Sequence, residues 1–213
     1  MKEVQYDKGD NMPPLTQPAQ ILQLVMMIIP LFMFHELAHA WMALRLGDTT
    51  AKDQGRLTIN PLKHIDWLGL LLIVLVGFGW AKPVMINPEN LKNKKRDMAL
   101  IALAGPLVNF ILALALIFAS VTHINIVGSE LYFLSIMARF SIMLGVFNML
   151  PIPPLDGSKV LAALLPDDLY EAYKRYEGFG MFVFLILVFT GILRTFIVPM
   201  IDAIFWWMVS IFI

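Results

Sequence analysis

The chain has 213 residues, a formal net charge of zero, no cysteine, 59% hydrophobic residues and 15% charged ones. Soluble domains carry about 25% charged residues, so this composition places the chain in a membrane. Balanced charge removes the bulk electrostatic case for a nucleic-acid partner, and the lack of cysteine removes disulfide scaffolds, thiol catalysis and cysteine-held zinc together.

Residues 1–18 (MKEVQYDKGDNMPPLTQP) are polar, hold three prolines and show no basic segment ahead of an apolar core. They read as a mobile extramembrane tail rather than a secretory signal. A membrane-spanning helix needs roughly 20 mostly apolar residues rising about 1.5 Å each. Residues 19–46, 97–121 and 131–150 meet that need. The stretch 179–213 is apolar except for Arg194 and Asp202 and is too long for one span. Arg194, Thr195 and Pro199 predict a break there, with helices near 178–193 and 196–213. Three polar connections lie between the spans, at 47–64, 81–96 and 157–177. Residues 65–80 (IDWLGLLLIVLVGFGW) are apolar but short, and Gly69, Gly77 and Gly79 punctuate them. They could span, or dip in and return. Residues 80–86 (WAKPVMI) resemble a short strand, although Pro83 restricts pairing there. The expected fold is an all-α polytopic membrane protein. It has about five transmembrane helices plus a re-entrant or membrane-surface hairpin with short β-strands in residues 47–96. Residues 19–213 form one membrane-embedded domain.

Inside the first apolar helix stands His35-Glu36-Leu37-Ala38-His39, an H-E-x-x-H motif. Positions i and i+4 lie one above the other on a helix, so both imidazoles can address one metal. Glu36 stands beside them without being a ligand and can act as general base on a metal-bound water. Two histidines and a carboxylate in an apolar helix are costly, by about 2.5 kcal/mol or more for a charge at mid-bilayer, and call for a partner or a task.

Catalytic zinc usually takes three protein ligands and keeps a fourth position open. His64, in a polar loop, and His123, at the end of a span, read as interfacial residues rather than ligands. Asp156 is the better third ligand. It closes Asn148-Met149-Leu150-Pro151-Ile152-Pro153-Pro154-Leu155-Asp156-Gly157, where three prolines break an apolar helix while the chain is still at membrane depth. Broken backbone at that depth is tolerated only when buried in protein or lining a wet cavity.

HELAH at 35–39 and NMLPIPPLDG at 148–157 together resemble the site-2 protease family of intramembrane zinc metalloproteases. That family pairs H-E-x-x-H in one transmembrane helix with N-x-x-P-x-P-x-L-D-G in a later one. The Gly105-Pro106-Leu107-Val108-Asn109 segment, residues 55–69 and WAKPV at 80–84 are similar to its short bacterial and archaeal branch, which lacks an inserted soluble domain. The resemblance covers about residues 20–165. It implies one Zn2+ ion held by His35, His39 and Asp156, Glu36 as catalytic base, and Asn148 beside the site. Residues 19–213 would then be a single metalloprotease domain that hydrolyses peptide bonds within or near the transmembrane segments of membrane-protein substrates, in regulated intramembrane proteolysis. Asn148 or Asn109 could donate a hydrogen bond to the tetrahedral oxyanion, or, for Asn109 with equal weight, could cross-link helices. The competing reading is a membrane metal-binding or transport protein without protease activity, which gives Glu36 no task.

For His39 and Asp156 to share a metal, the ends of the 19–46 and 131–150 helices must approach the same side of the bilayer. That requires an even number of crossings in residues 47–96 and favours residues 65–80 as a re-entrant or surface-embedded hairpin. Loops 45–63, 81–96 and 157–177 then share a side with twelve of the sixteen Lys and Arg residues, which the positive-inside rule makes cytoplasmic. The expectation is a multi-pass protein of a prokaryotic cell membrane, with the active site toward the cytoplasm, an external N-terminus and a cytoplasmic C-terminus.

Overall fold

A computed structural model describes residues 18–76, 79–122 and 129–213. Gly77, His123 and nearly all of the expected mobile tail lie outside the described residues. In chain order the helices are α1 (Pro18–Arg45), α2 (Thr50–Asp53), α3 (Trp67–Val76), α4 (Lys94–Thr122), α5 (Ser129–Asn148), α6 (Asp156–Leu164), α7 (Asp167–Phe189) and α8 (Ile192–Ser210). Among the described residues, three helical stretches are long and apolar enough to cross a membrane: Leu22–Arg45, Lys94–Thr122 and Ile192–Ser210. Tyr132–Asn148 and Gly178–Phe189 are shorter apolar stretches.

The central post is α4. Ile101, Gly105, Asn109, Ala113 and Ile117 fall at every fourth position and are all buried, as one face of a helix requires. Small residues on that face let neighbouring backbones come close, and α1, α5, α6 and α8 all pack on it. At one end Ala113 and Ile117 meet Ile142 and Val146 of α5 and Ile197, Ile201 and Phe205 of α8. A second core joins Leu24 and Met27 of α1 to Ile73 of α3, with Phe133 and Phe140 of α5 packed against it. Ile111, Phe118, Phe182, Phe189 and Trp207 point outward and are exposed. That much bare apolar surface suits lipid contact.

Local chemistry sets the connections. Two 3-10 turns, Pro61–Lys63 and Pro88–Asn90, each follow an Ile-Asn dipeptide. Asn60 accepts the N–H of Leu62 and Asn87 that of Glu89, while proline occupies the first position, where an N–H would go unused. After α1, Asp48 is fully buried. Its Oδ1 accepts from the N–H and Oγ1 of Thr50 and from Asn90 Nδ2, and its Oδ2 accepts from the N–H of Asn87. Burial pushes its carboxyl up, but these hydrogen bonds outweigh burial and hold it below the ordinary value.

The described residues on either side of 77–78 come close together. The His64 carbonyl accepts the Lys82 N–H at 2.9 Å, and a Cβ on Gly69 would collide with the Trp80 backbone. The ten residues of α3 rise about 15 Å, half of a roughly 30 Å hydrocarbon core.

Several expectations need correction. No strand occurs among the described residues, and the run around residues 80–86 carries no ladder; side chains and loop backbone take its polar groups instead, as described below. The C-terminal break falls at Thr190–Gly191, not at Arg194–Pro199. Gly191 adopts φ 73°, a left-handed conformation that glycine tolerates, and Pro199 lies within α8. Helix α7 starts at Asp167 rather than near 178, so one helix runs from the polar segment into the apolar one.

Candidate metal centre

Helix α1 presents His35 and His39, and the first residue of α6 presents Asp156. All three are buried. The two Nε2 atoms lie 3.1 Å apart, and each lies 3.2 Å from Asp156 Oδ2. Among the described residues this is the only grouping of three or more His, Asp or Glu side chains able to hold a metal ion. Zinc–nitrogen bonds of about 2.0–2.1 Å in a tetrahedron put neighbouring ligand atoms about 3.3 Å apart, close to the observed spacing.

The far side of each ring is anchored. His35 Nδ1 meets Asn109 Oδ1 at 3.0 Å, and His39 Nδ1 meets the Ile101 carbonyl oxygen at 2.7 Å. Both partners are acceptors, so each Nδ1 donates and each Nε2 is the atom turned inward. Asp156 Oδ2 is buried with no hydrogen-bond partner. With both Nδ1 atoms facing acceptors, the two Nε2 atoms and Asp156 Oδ2 converge as a donor set that suits a cation between them. The residues therefore fit a single metal ion. Helix α4 reaches the rings because residue 105 is glycine: a Cβ there would stand 2.6 Å from His39 Cε1 and 2.7 Å from His35 Cε1.

Asp156 is delivered by the proline-broken connection after α5. A Cβ on Gly157 would stand 2.5 Å from the Leu150 carbonyl oxygen, and one on Gly180 of α7 would stand 2.5 Å from Pro153 Cβ. The loop is thus pinned between two glycines. Lys159, three residues on, places Nζ 3.7 Å from Asp156 Oδ1.

Glu36 is half-buried and stands outside the His35–His39–Asp156 group. Its Oε2 accepts the N–H of Val84 at 2.8 Å. Of the two expected oxyanion donors, Asn109 is fully buried behind His35, and its Nδ2 is buried without a partner. Its backbone carbonyl accepts Ser141 Oγ from α5 at 2.7 Å. Asn148, in the last turn of α5, donates Nδ2 to its own helix at the Leu144 carbonyl, 3.0 Å away. His64 is not part of the cluster. It is buried, with Nε2 2.9 Å from the Thr58 carbonyl oxygen, and braces the point where residues 65–81 begin and end.

The sequence reading missed the Ile101 carbonyl, the Val84 N–H and Arg56. Arg56 is buried, and its guanidinium holds the carbonyls of Lys82 and Pro83. The Gly-Pro-Leu-Val-Asn run carried the only signal for Gly105 and Asn109.

The sequence model of peptidase family M50 matches residues 23–128 and 125–191. YwhC of Bacillus subtilis is 39% identical over 189 residues, which cover 84% of this chain and 86% of that protein. Rip2 of Mycobacterium tuberculosis is 28% identical over 188 residues, 85% of this chain and 71% of that one. The zinc metalloprotease MJ0392 of Methanocaldococcus jannaschii is 35% identical over 109 residues, 49% of this chain and 31% of that one. YwhC and Rip2 are likewise classed by name with zinc metalloproteases. No solved structure matches the chain.

Proposed function

The chain belongs to peptidase family M50, the site-2 protease family, and from that premise we propose that it is a zinc-dependent intramembrane endopeptidase acting on transmembrane protein substrates. The observation that carries this reading is the convergence of three buried ligand atoms from α1 and α6, with a non-ligand carboxylate, Glu36, one residue from the first histidine.

In this reading His35, His39 and Asp156 hold one zinc ion. Zinc so held supplies Lewis acidity, polarising a carbonyl and lowering the pKa of water toward about 7. Glu36 takes the proton of the attacking water and returns it to the leaving amine nitrogen. Asn109 and the Ile101 carbonyl keep the two rings in the tautomer the site needs. Asn148 becomes available to the oxyanion once its side chain leaves the Leu144 carbonyl. A transmembrane helix pairs its backbone internally, so the substrate must unwind locally before it can be cut. The cleavage fits regulated proteolysis of membrane proteins.

Residues 19–213 act as one membrane-embedded domain with about five spans, and residues 1–18 as an extramembrane tail. Residues 65–80 form a re-entrant or membrane-surface hairpin, a reading supported by the His64–Lys82 bond and the short α3. The site then leans toward the cytoplasmic face of a prokaryotic cell membrane, with the N-terminus outside and the C-terminus inside. A reporter fused at residue 90 should read as cytoplasmic; an external signal would sink this topology.

The test of the activity is Glu36→Gln in the zinc-loaded protein. Cleavage of a transmembrane substrate should fall by about 10²–10⁴-fold while zinc stays bound at wild-type stoichiometry. Zinc binding by a wild type that cuts no transmembrane peptide would favour the metal-binding or transport reading.

A further inference from the structure

Among the described residues Arg56 is the only Lys or Arg side chain that is buried. Removing a guanidinium from water is costly unless its donors are used well. The fold goes to some length to place it. Gly55 adopts φ 66°, and the Arg56 N–H closes the turn on the Ala51 carbonyl at 2.9 Å.

Two donors of Arg56 grip consecutive carbonyls of the extended segment. Nη2 donates to Lys82 O at 2.6 Å and Nη1 to Pro83 O at 3.1 Å. Nε is buried and has no hydrogen-bond partner, so the fork is spent on these two oxygens. The Pro83 carbonyl and the Val84 N–H belong to one peptide unit. That unit is planar and trans, so its C=O and N–H point in opposite directions. One end lies on Arg56 and the other on Glu36 Oε2, at 2.8 Å. The peptide dipole is aligned between a cation and a carboxylate, and each charge strengthens the hydrogen bond made at the other end. The Glu36 carboxylate also acts on the guanidinium directly, opposing the fall in pKa that burial causes.

We propose that Arg56 is a positioning residue for Glu36: through the Pro83–Val84 peptide it fixes one carboxylate oxygen on the Val84 N–H and leaves the other to face the water. This rests on the reading of Glu36 as general base and goes beyond it. A side chain outside the zinc motifs, acting across one peptide plane, sets the orientation of the base.

The experiment compares wild type, Glu36→Gln, Arg56→Ala and Arg56→Lys as full-length, zinc-loaded protein in detergent, with a transmembrane peptide as substrate. Arg56→Ala should lower kcat by about a hundredfold, the scale of a slightly misplaced catalytic group, with KM and zinc content near wild type. Arg56→Lys should stay low, because a single ammonium cannot span two carbonyls as the fork does. Added guanidinium should restore part of the kcat of Arg56→Ala and none of that of Glu36→Gln. The proposal is overturned if kcat is unchanged in both Arg56 variants, if its loss tracks loss of zinc, or if only KM moves. Should Arg56→Ala fail to fold, the kcat of Arg56→Lys decides by the same criteria. A wild type that cuts no transmembrane peptide overturns the underlying reading and this proposal with it. An active wild type, a silent Glu36→Gln and fully active Arg56 variants overturn the proposal alone.

Discussion

The part of the molecule around α1, the start of α4 and α6 differs in kind from the C-terminal pair α7 and α8. Around the metal centre, polar atoms are placed one by one. Each imidazole has a named acceptor behind it, Glu36 has the Val84 N–H, and Arg56 has two carbonyls. In the C-terminal pair the contacts are mostly apolar. Ile197, Ile201, Phe205, Met208 and Val209 of α8 are buried in a shared core, while Phe179, Phe182, Ile186 and Phe189 of α7 are exposed. Polar ties there include the Arg139–Asp202 ion pair, with the guanidinium over the Phe205 ring, and Lys95 of α4 set against Asp167 and the Tyr170 ring at the start of α7. One region depends on the positions of single atoms; the other needs volume and hydropathy, which many side chains supply equally well.

Gly105→Ala should break this contrast most visibly. The added methyl would meet both imidazoles, although alanine is otherwise the better helix residue. Zinc affinity should fall by about 10–100-fold, the usual cost of disturbing groups behind the ligands, and isothermal titration with zinc measures it. Unchanged affinity would mean that α4 does not set the ring positions.

A smaller effect belongs to Asp48, outside the spans. Its carboxyl is held below the ordinary value, so the folded form gains stability above the unfolded-state pKa of about 3.9 and loses it as pH falls through the lower folded value. Asp48→Asn should cost roughly 1–3 kcal/mol at neutral pH, the scale of hydrogen bonds to a charged group. Thermal unfolding from neutral to acid pH should show the gap between the two proteins closing at the acid end. A gap independent of pH would remove the carboxylate from the explanation.

The smallest effect is expected at Phe182, exposed on α7. Phe182→Leu should leave kcat, zinc content and melting temperature close to wild type, since one apolar side chain replaces another on an outward surface. A large loss of cleavage would mean that α7 takes part in substrate handling and that the contrast is drawn in the wrong place.

The same contrast explains what could be read in the sequence. His35 and His39 were legible because imidazole is rare in an apolar helix and their spacing puts them on one face, and Asp156 because three prolines break the chain just ahead of it. The long helices were legible from hydropathy. Arg56 was not, because an arginine in a polar loop looks the same in sequence whether solvated or buried. The Ile101 carbonyl and the Val84 N–H were not, because every residue carries a carbonyl and nearly every residue an N–H, and no letter marks the one that is used. The strand expected around residues 80–86 failed for a related reason: its composition suits extended backbone, but pairing depends on free edges, and Arg56, Glu36 and His64 take several of its polar groups. The break near Arg194 was misplaced because a charged residue and a proline looked stronger than one glycine. Helix α8 accommodates Pro199, while Gly191 turns the chain.

The ligand set has a thermodynamic side as well. His39 and Asp156 are far apart in the chain, and no covalent cross-link joins α1 to α6 in a protein without cysteine. An ion shared by the two helices would close that long loop as a disulfide closes one in a secreted domain. A ligand bound only by the assembled state stabilises it by about 1.4 kcal/mol for each tenfold rise in free concentration above its dissociation constant. Zinc availability would then govern how long the protein persists in the membrane as well as how fast it cuts, and a chelator would loosen the same helices that it silences.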